Sequence, residues 1–245
     1  QVAEEYTKNG IYAYKNDIYR KEDLIIKNSI SKLGLRACLA ENMSGEVTIN
    51  LSYRLNGKEF NKIIDTSQVP EIRNLFGFRE KYQKGYKINS ILVNDKVDKL
   101  YFYVKGRQDN ILTQTWLYMF DLKTSQVNKL FFDIGDFDDI QLSPNGKYIA
   151  FAYQNNQKNT QEKERNMVSI VRCEDNKLIL NGDRDYNGNP IGPDSDLYIY
   201  SYDFVKWQND KSCILKQVSE VKDGSGKVKR QNVVFNAVEN KLYLQ

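Results

Sequence analysis

The chain has 245 residues, and its 36 Lys+Arg against 32 Asp+Glu give a formal net charge of +4, too balanced to indicate a nucleic-acid partner. Histidine is absent, which excludes Ser-His-Asp and Cys-His catalysis and every His-ligated zinc or iron site. Cys38, Cys173 and Cys213 show no C-x-x-C spacing, and no apolar run approaches the ~20 residues that cross a bilayer.

Segments rich in β-branched and aromatic residues follow one another along the chain, separated by turn residues. Tight turns are predicted at Asn56-Gly57 and at Asp223–Gly226. The less patterned segment 68–87 contains Pro70–Phe76, which suggests a short helix or a capping loop. The strands group into a half-unit near 10–20 and four units near 30–66, 88–132, 137–180 and 199–244.

The clearest element is a turn, Leu142–Gly146, that leads into the strand Lys147–Phe151. The proline of this turn has the φ that a type I turn needs, and its glycine accepts a positive φ. We expect Lys147–Phe151 to be an inner strand, with Ile149 and Phe151 on one packed face.

A second landmark recurs along the chain: a four-residue motif of Asn, Lys, Leu and an apolar residue. Its copies are Asn128–Phe131, Asn176–Ile179 and Asn240–Tyr243, with variants at Asn61–Ile64 and Asn16–Tyr19. Looser copies of the first landmark begin at Ile30, Val93 and Trp207. The separation between the two landmarks is nearly constant, which indicates a repeated supersecondary unit with insertions in its connecting loops.

Four antiparallel strands in about 40–50 residues are typical of a β-propeller blade. The sequence Leu-Ser-Pro-Asn-Gly-Lys-Tyr-Ile-Ala-Phe at 142–151 resembles the Tol-type bacterial β-propeller repeat, also found in the propellers of prolyl-oligopeptidase-like proteins. The resemblance covers one blade closely and implies a fold, not an activity. We predict an all-β, propeller-like array in a single domain, 1–245. Either the N-terminal half-blade helps to close the ring, or the chain is part of a larger ring.

The long connection after the third unit contains a loop rich in Asp and Asn. It reads D-x-D-x-N-G-N, with an acidic residue twelfth from the first Asp, and so resembles a calcium-binding loop. This resemblance implies side-chain ligands Asp183, Asp185 and Asn187, the Asn189 carbonyl, and Asp194 or Asp196 to close the shell. Pro190 stands where an aliphatic residue is usual, and no flanking helices are predicted. The alternative is a polar loop whose Asn, Gly and Pro serve its turns.

Three other stretches have both a functional and a structural interpretation. The four carboxylates of Asp133–Asp139 suit a cation or an acid–base pair, but a solvated turn is favoured. Alternating tyrosines share a strand face, which suits glycan or peptide binding, although packing between blades is favoured. They are Tyr12/Tyr14, Tyr101/Tyr103 and Tyr198/Tyr200/Tyr202. The basic run Lys227–Arg230 is interpreted as a solvated hairpin end; the alternative is an anionic-lipid or nucleic-acid patch.

Two functions from different classes remain open. The first is a non-catalytic, exported propeller that binds a protein or glycan and is stabilised by calcium at the Asp183–Asp196 loop. The expected location is extracytoplasmic: periplasmic, secreted or surface-anchored. The second is a carboxylate-dependent, glycosidase-like hydrolase, or the propeller portion of a larger enzyme. Two carboxyl groups about 5–10 Å apart in a deep pocket would favour the enzyme.

Overall fold

All regular structure that a computed structural model describes in this chain is β-strand. The described residues are 11–14, 17–23, 36–41, 47–55, 58–65, 87–94, 96–108, 112–135, 137–138, 140–155, 165–182, 184–192 and 197–245. Within these ranges the predicted all-β fold is confirmed, and none of these residues belongs to a helix that could span a membrane. The helix suggested at Pro70–Phe76 lies outside them.

The first compact unit, Gln1–Phe132, contains sheet 1 and nearly all of sheet 2. In both sheets, strands that are consecutive in the chain lie side by side. Sheet 1 consists of β1 (Ile11–Tyr14), β2 (Asp17–Asp23), β3 (Arg36–Glu41), β4 (Val47–Leu55) and β5 (Lys58–Asp65). Sheet 2 consists of β6 (Lys87–Asn94), β7 (Lys99–Gln108), β8 (Leu112–Asp121) and β9 (Val127–Ile134).

The N-terminal strands are joined to the next unit of the chain, which differs from the separate half-blade that we predicted. β2 pairs antiparallel with β3, and Asp23 lies opposite Cys38 in this ladder. The pairing satisfies backbone N–H and C=O groups along the edge of β3 that would otherwise be open. The predicted half-blade and first unit therefore form one five-stranded sheet. The single domain over 1–245 stays a prediction.

The second compact unit, Asp133–Gln245, contains sheets 3 and 4. Their strands also follow chain order. Sheet 3 consists of β10 (Gln141–Leu142), β11 (Tyr148–Asn155), β12 (Arg165–Arg172), β13 (Lys177–Asn181) and β14 (Arg184–Asp185). Sheet 4 consists of β15 (Tyr198–Trp207), β16 (Ser212–Val221), β17 (Val228–Asn236) and β18 (Lys241–Leu244).

The core of the second unit lies where one face of sheet 3 packs against one face of sheet 4. Tyr148, Ala150 and Ala152 of β11 belong to this core, because alternate residues of a strand point to the same face. Ile149 and Phe151 point to the opposite face and are both 0% exposed. The ring of Phe151 stacks on that of Phe137, with centroids 5.7 Å apart. The prediction of an inner strand with a packed Ile149–Phe151 face is therefore confirmed.

Sheets 2, 3 and 4 share one plan of turn hydrogen bonds. An asparagine Oδ1 accepts the backbone N–H of the lysine two residues later, before the second strand of each sheet. The three pairs are Asn94–Lys96 (3.2 Å), Asn145–Lys147 (3.0 Å) and Asn209–Lys211 (2.8 Å). A backbone N–H that follows the third strand then donates to a carbonyl of the same turn. These bonds join Leu122 to Asp98, Cys173 to Lys147 and Ala237 to Lys211. These copies of the first landmark are thus structurally equivalent.

Cys213 carries a buried, free thiol. Cys213 is part of the core between sheets 3 and 4 and is 0% exposed. Burial raises the pKa of its thiol to about 12, so the reactive thiolate is scarce at neutral pH. Cys38 lies in β3, but its side chain is outside the described part of the structure.

Candidate functional site

The loop predicted to bind calcium is organised around the carboxylate of Asp185. Asp185 Oδ1 accepts the backbone N–H groups of Asn187 at 2.8 Å and of Asn189 at 2.9 Å. Asp185 Oδ2 lies 3.3 Å from the Asn189 side-chain amide. Desolvation raises the pKa of Asp185, but the hydrogen bonds from Asn189 and Asn187 outweigh it and hold the pKa below its ordinary value. Asp185 is therefore ionised and anchors the turn.

Three of the six predicted ligands are brought together in this turn. The carbonyl oxygen of Asn189, expected as a ligand, accepts the Asp185 backbone N–H at 2.8 Å. Gly188 has a φ of +84°, a conformation that glycine adopts without steric cost and that bends the loop sharply. Asp183, Asp194 and Asp196 lie outside the described residues. Among the residues that are described, no three Asp, Glu or Cys side chains form a group that could hold a metal ion.

The acidic stretch Asp133–Asp139 is described only in part. The side chain of Asp138 is exposed, and its backbone N–H donates to the Ala152 carbonyl at 2.8 Å. Asp136 and Asp139 lie outside the described residues. The cation or acid–base interpretation of this stretch stays a prediction.

A groove of about 380 Å³ opens on sheet 4, and we call it the tyrosine groove. It lies on the sheet face that packs against sheet 3, beyond the end of that packing. Along this face the side chains change from apolar to polar. Its main lining residues are Tyr198, Tyr200, Gln217, Ser219, Lys229 and Gln231.

The register of three neighbouring strands places these side chains together. Tyr200 of β15 lies opposite Ser219 of β16, which in turn lies opposite Lys229 of β17. One step further into the sheet, Gln217 lies between Tyr202 and Gln231 in the same way. Because side chains alternate along a strand, both rows project from the same face.

A hydrogen-bonded network of side-chain amides forms the base of the tyrosine groove. Gln231 Nε2 donates to Gln217 Oε1 at 2.8 Å, and Gln217 Nε2 donates to the Tyr202 hydroxyl at 3.0 Å. Gln217 is only 1% exposed, so its amide is held in a fixed orientation. Buried polar groups that are fully satisfied in this way make the surrounding structure rigid.

The three tyrosines of β15 form a ladder that passes from solvent into the core. The ring centroids of Tyr198 and Tyr200 are 6.1 Å apart, and those of Tyr200 and Tyr202 are 6.3 Å apart. Tyr198 is 36% exposed, whereas Tyr200 is 7% and Tyr202 0% exposed. Packing, the favoured interpretation, is confirmed for Tyr200 and Tyr202, and Tyr198 presents its ring to the groove.

A second groove, of about 400 Å³, lies between the Asp185–Ile191 loop and the turn at Glu239–Leu242, and we call it the loop groove. Its lining includes the carboxyl-bearing side chains of Asp185 and Glu239. Glu239 accepts a hydrogen bond from the Tyr243 hydroxyl. At its edge, Lys177 Nζ lies 3.9 Å from the ring centroid of Tyr186, a cation–π contact.

Sequence reasoning missed Gln217, Ser219 and Gln231 as site residues, although β16 carries a signal. Cys213 and Leu215 are inward-facing residues of this strand, and the same alternation continues to Gln217 and Ser219. Polar residues in phase with a buried apolar face indicate a hydrogen-bonded network or a site. The predicted Lys227–Arg230 run enters β17, and its side chains are exposed.

No protein-family model matches this chain, and no curated protein matches it. Similar solved structures include an oligogalacturonate lyase in complex with manganese. Its TM-score is 0.39 and its sequence identity is 9%, and the alignment covers 85% of this chain and 58% of that chain. The tricorn protease has a TM-score of 0.31 and 9% identity, and the alignment covers 93% of this chain and 30% of the protease chain. TolB from Acinetobacter baumannii has a TM-score of 0.23 and 10% identity, and the alignment covers 81% of this chain and 65% of the TolB chain. The chain spans less than two thirds of the length of each of these proteins.

Proposed function

We propose that this protein is a non-catalytic, propeller-like binding protein whose tyrosine groove takes a glycan. The observation that carries the proposal is one groove lined both by the partly exposed ring of Tyr198 and, two rows further along the strands, by the hydrogen-bonded amides of Gln217 and Gln231. A pyranose ring has an apolar C–H face that packs on an aromatic ring, and hydroxyl groups that pair with amides. A rigid groove that offers both groups on one face suits such a ligand.

The propeller-like architecture is supported by the common plan of sheets 2, 3 and 4. Propeller blades are antiparallel sheets of about four strands, repeated along the chain. Sheets 2 and 4 have four strands each, and sheet 3 adds the two-residue strand β14 to four others. Their equivalent turn hydrogen bonds are what a repeated blade produces. We propose that these sheets are blades of a propeller ring.

The size of the groove favours a glycan over a protein as its ligand. A volume of about 380 Å³ lies within the ~300–1,000 Å³ of pockets that take small ligands. A stable protein interface needs roughly 800 Å² from each partner, far more than the lining of this groove supplies.

The test is binding of the full chain to an oligosaccharide array, followed by calorimetry with each ligand found. Tyr198→Ala removes the exposed ring and is expected to weaken binding by about two- to tenfold, since an aromatic stacking contact contributes about 0.5–1.5 kcal/mol beyond its buried area. Tyr186→Ala is the matched control, because Tyr186 is 51% exposed but lines the loop groove. Loss of binding in Tyr186→Ala but not in Tyr198→Ala would contradict the choice of groove.

The alternative function, a carboxylate-dependent hydrolase, is favoured by one observation: Asp185 and Glu239 both line the loop groove. Because its pKa is lowered, Asp185 suits the role of base or nucleophile, which leaves Glu239 as the acid. Release of reducing sugar that Glu239→Gln abolishes would establish this function. Binding without turnover supports the non-catalytic proposal.

We also propose that the Asp183–Asp196 loop binds calcium, as its sequence pattern implies. The described ligands fit a hard cation, because Asp185 and Asn187 supply oxygen atoms. The hydrogen bonds to Asp185 Oδ1 preorganise the turn, and among the described residues Oδ2 has one contact, at 3.3 Å. This loop leads from sheet 3 toward sheet 4. Bound calcium would hold its ligand residues together and make the loop a single rigid turn.

The extracytoplasmic location is part of the same proposal. Its support is the resemblance of Leu142–Phe151 to the Tol-type bacterial repeat. Fractionation of cells that express the protein, with periplasmic, surface and medium fractions probed separately, is the test.

A further inference from the structure

We infer that the tyrosine groove selects an acidic glycan, and that Lys229 and Lys227 recognise its carboxylate or sulfate. This inference rests on the proposed function and adds a chemical class to the ligand. It comes from the charges around the groove, which are independent of the ring and amide contacts.

Lys229 belongs to the groove face of sheet 4, and Lys227 lies just before β17 begins. Lys229 lies opposite Ser219, in the row that contains Tyr200. Lys227 stands two residues earlier, and its carbonyl accepts the Val221 backbone N–H at 3.1 Å, which fixes the chain at this end of the groove. Both side chains are exposed and line the groove, so their ammonium groups can reach a ligand bound on the Tyr198 ring.

No carboxylate competes for these two ammonium groups in the groove lining. Of the side chains that line it, those of Lys227 and Lys229 are the charged ones, and neither forms an ion pair with a described residue. Glu220 precedes Val221 on β16 and projects from the opposite face, because Ser219 projects into the groove. Among the described residues, the groove lining therefore carries positive charge and no carboxylate.

The recessed polar base favours a sugar acid over a membrane surface as the source of the negative charge. A flat bilayer meets only the exposed part of the lining, where Val228 is 40% exposed. It does not reach the Gln217–Gln231 network at the base. The hydroxyl groups of a sugar can reach the half-buried Gln231 while its carboxylate stays beside the exposed lysines.

The experiment uses an array of acidic oligosaccharides, each beside its carboxyl-reduced or desulfated form, and calorimetry on the best pair. The acidic form is expected to bind about tenfold more tightly, the typical effect of one hydrogen bond to a charged group. Lys229→Gln should remove most of this difference. Lys206→Gln is the control, since Lys206 is exposed on β15 but does not line the groove. Raising the salt concentration should weaken the binding of the acidic form only.

Failure of this inference is distinct from failure of the proposed function. Equal binding of the two forms, or equal loss of both in Lys229→Gln, overturns the acidic preference and leaves a glycan-binding groove. If no oligosaccharide of the array binds, the proposed function itself is overturned. Vesicles of phosphatidylserine and phosphatidylcholine form a separate arm. Co-sedimentation with them that needs Lys229, without oligosaccharide binding, makes the surface a membrane contact and contradicts both proposals.

Discussion

Gln217 lies directly opposite Tyr202 in sheet 4, and its amide nitrogen donates a 3.0 Å hydrogen bond to the tyrosine hydroxyl. Both side chains are buried, so neither has water as a substitute partner. We expect Gln217→Leu to lower the free energy of unfolding by about 1–3 kcal/mol, because it deprives the Tyr202 hydroxyl and the Gln231 amide of their partner. Urea denaturation measures the change.

The double variant separates this hydrogen bond from simple packing. Adding Tyr202→Phe to Gln217→Leu removes the hydroxyl that the first change leaves with fewer partners. The combined loss should therefore be smaller than the sum of the two single losses. Strictly additive losses would show that the two groups are not coupled.

Gly192 lies so close to the tyrosine ladder that no side chain fits there. A Cβ at this position would lie 2.9 Å from Tyr200 Cε2 and 3.0 Å from the Tyr202 hydroxyl. We expect Gly192→Ala to destabilise the protein by about 1–3 kcal/mol and to weaken glycan binding, because Tyr200 must move. In Gly188→Ala the new Cβ meets nothing within 4 Å, so its cost is backbone strain alone and binding should be unchanged. Thermal melting and calorimetry on both variants make the comparison.

Phe151 is fully buried and stacks on Phe137, so its truncation leaves a cavity. We expect Phe151→Ala to cost about 3–5 kcal/mol in chemical denaturation. Val205→Ala, on a side chain that is 49% exposed, should change stability by less than about 0.5 kcal/mol. A loss below about 1 kcal/mol in Phe151→Ala would contradict the packed face.

The Arg172–Asp175 ion pair makes the stability of the fold depend on pH in the acidic range. The Arg172 guanidinium donates two hydrogen bonds, of 2.9 and 2.5 Å, and lowers the pKa of Asp175 from 3.8 to about 2. A carboxyl group whose pKa is lower in the folded state stabilises the fold above the unfolded pKa. That contribution is lost as the pH falls from about 4 to 2.

Asp175→Asn measures this contribution. Both side chains are more than a third exposed, so solvent screening limits the contribution to about 1 kcal/mol or less at neutral pH. The difference in melting temperature between the two proteins should be present at pH 7 and vanish near pH 2. A difference that stays constant from pH 7 to 2 would contradict the assignment.

Calcium is expected to raise the melting temperature of the protein, and a chelator to lower it. A ligand that binds only the folded state at about 100 times its dissociation constant adds about 2.7 kcal/mol. Magnesium should substitute poorly, because it demands a stricter and tighter octahedron. Differential scanning calorimetry with calcium, magnesium and EDTA measures the three cases.

Asp185→Asn is the sharper variant for the calcium test. Its side-chain oxygen can still accept the N–H groups of Asn187 and Asn189, so the turn is kept while the charge is lost. Calcium should then no longer shift the melting temperature. If the wild-type protein melts at the same temperature in calcium and in EDTA, the loop is a polar connection with structural roles only.

The turns before the second strand of sheets 2, 3 and 4 could be predicted from the sequence because they close over neighbouring residues. Asn145 and Asn209 accept amides two residues later, and Gly146 has the positive φ that its turn was expected to need. The second landmark is local in the same sense: Asn176 and Asn240 both have positive φ and precede short strands. In the third copy, Asn128 lies inside β9, and Ser125 takes the positive φ instead.

The candidate site depended on strand register, which the sequence alone does not specify. Alternation predicted that Tyr198, Tyr200 and Tyr202 share a face, but it did not reveal which residues lie opposite them. The irregularity between Phe204 and Lys206 shifts the pairing of β15 on β16 by one residue, and every partner toward Tyr198 depends on it. The alternation of side chains is set within a single strand, whereas the residue that lies opposite in the neighbouring strand is decided only when the two strands pair. The sequence by itself therefore determined the strands and turns, and the tertiary structure decided that Gln217, Gln231 and Lys229 join the tyrosines in one groove.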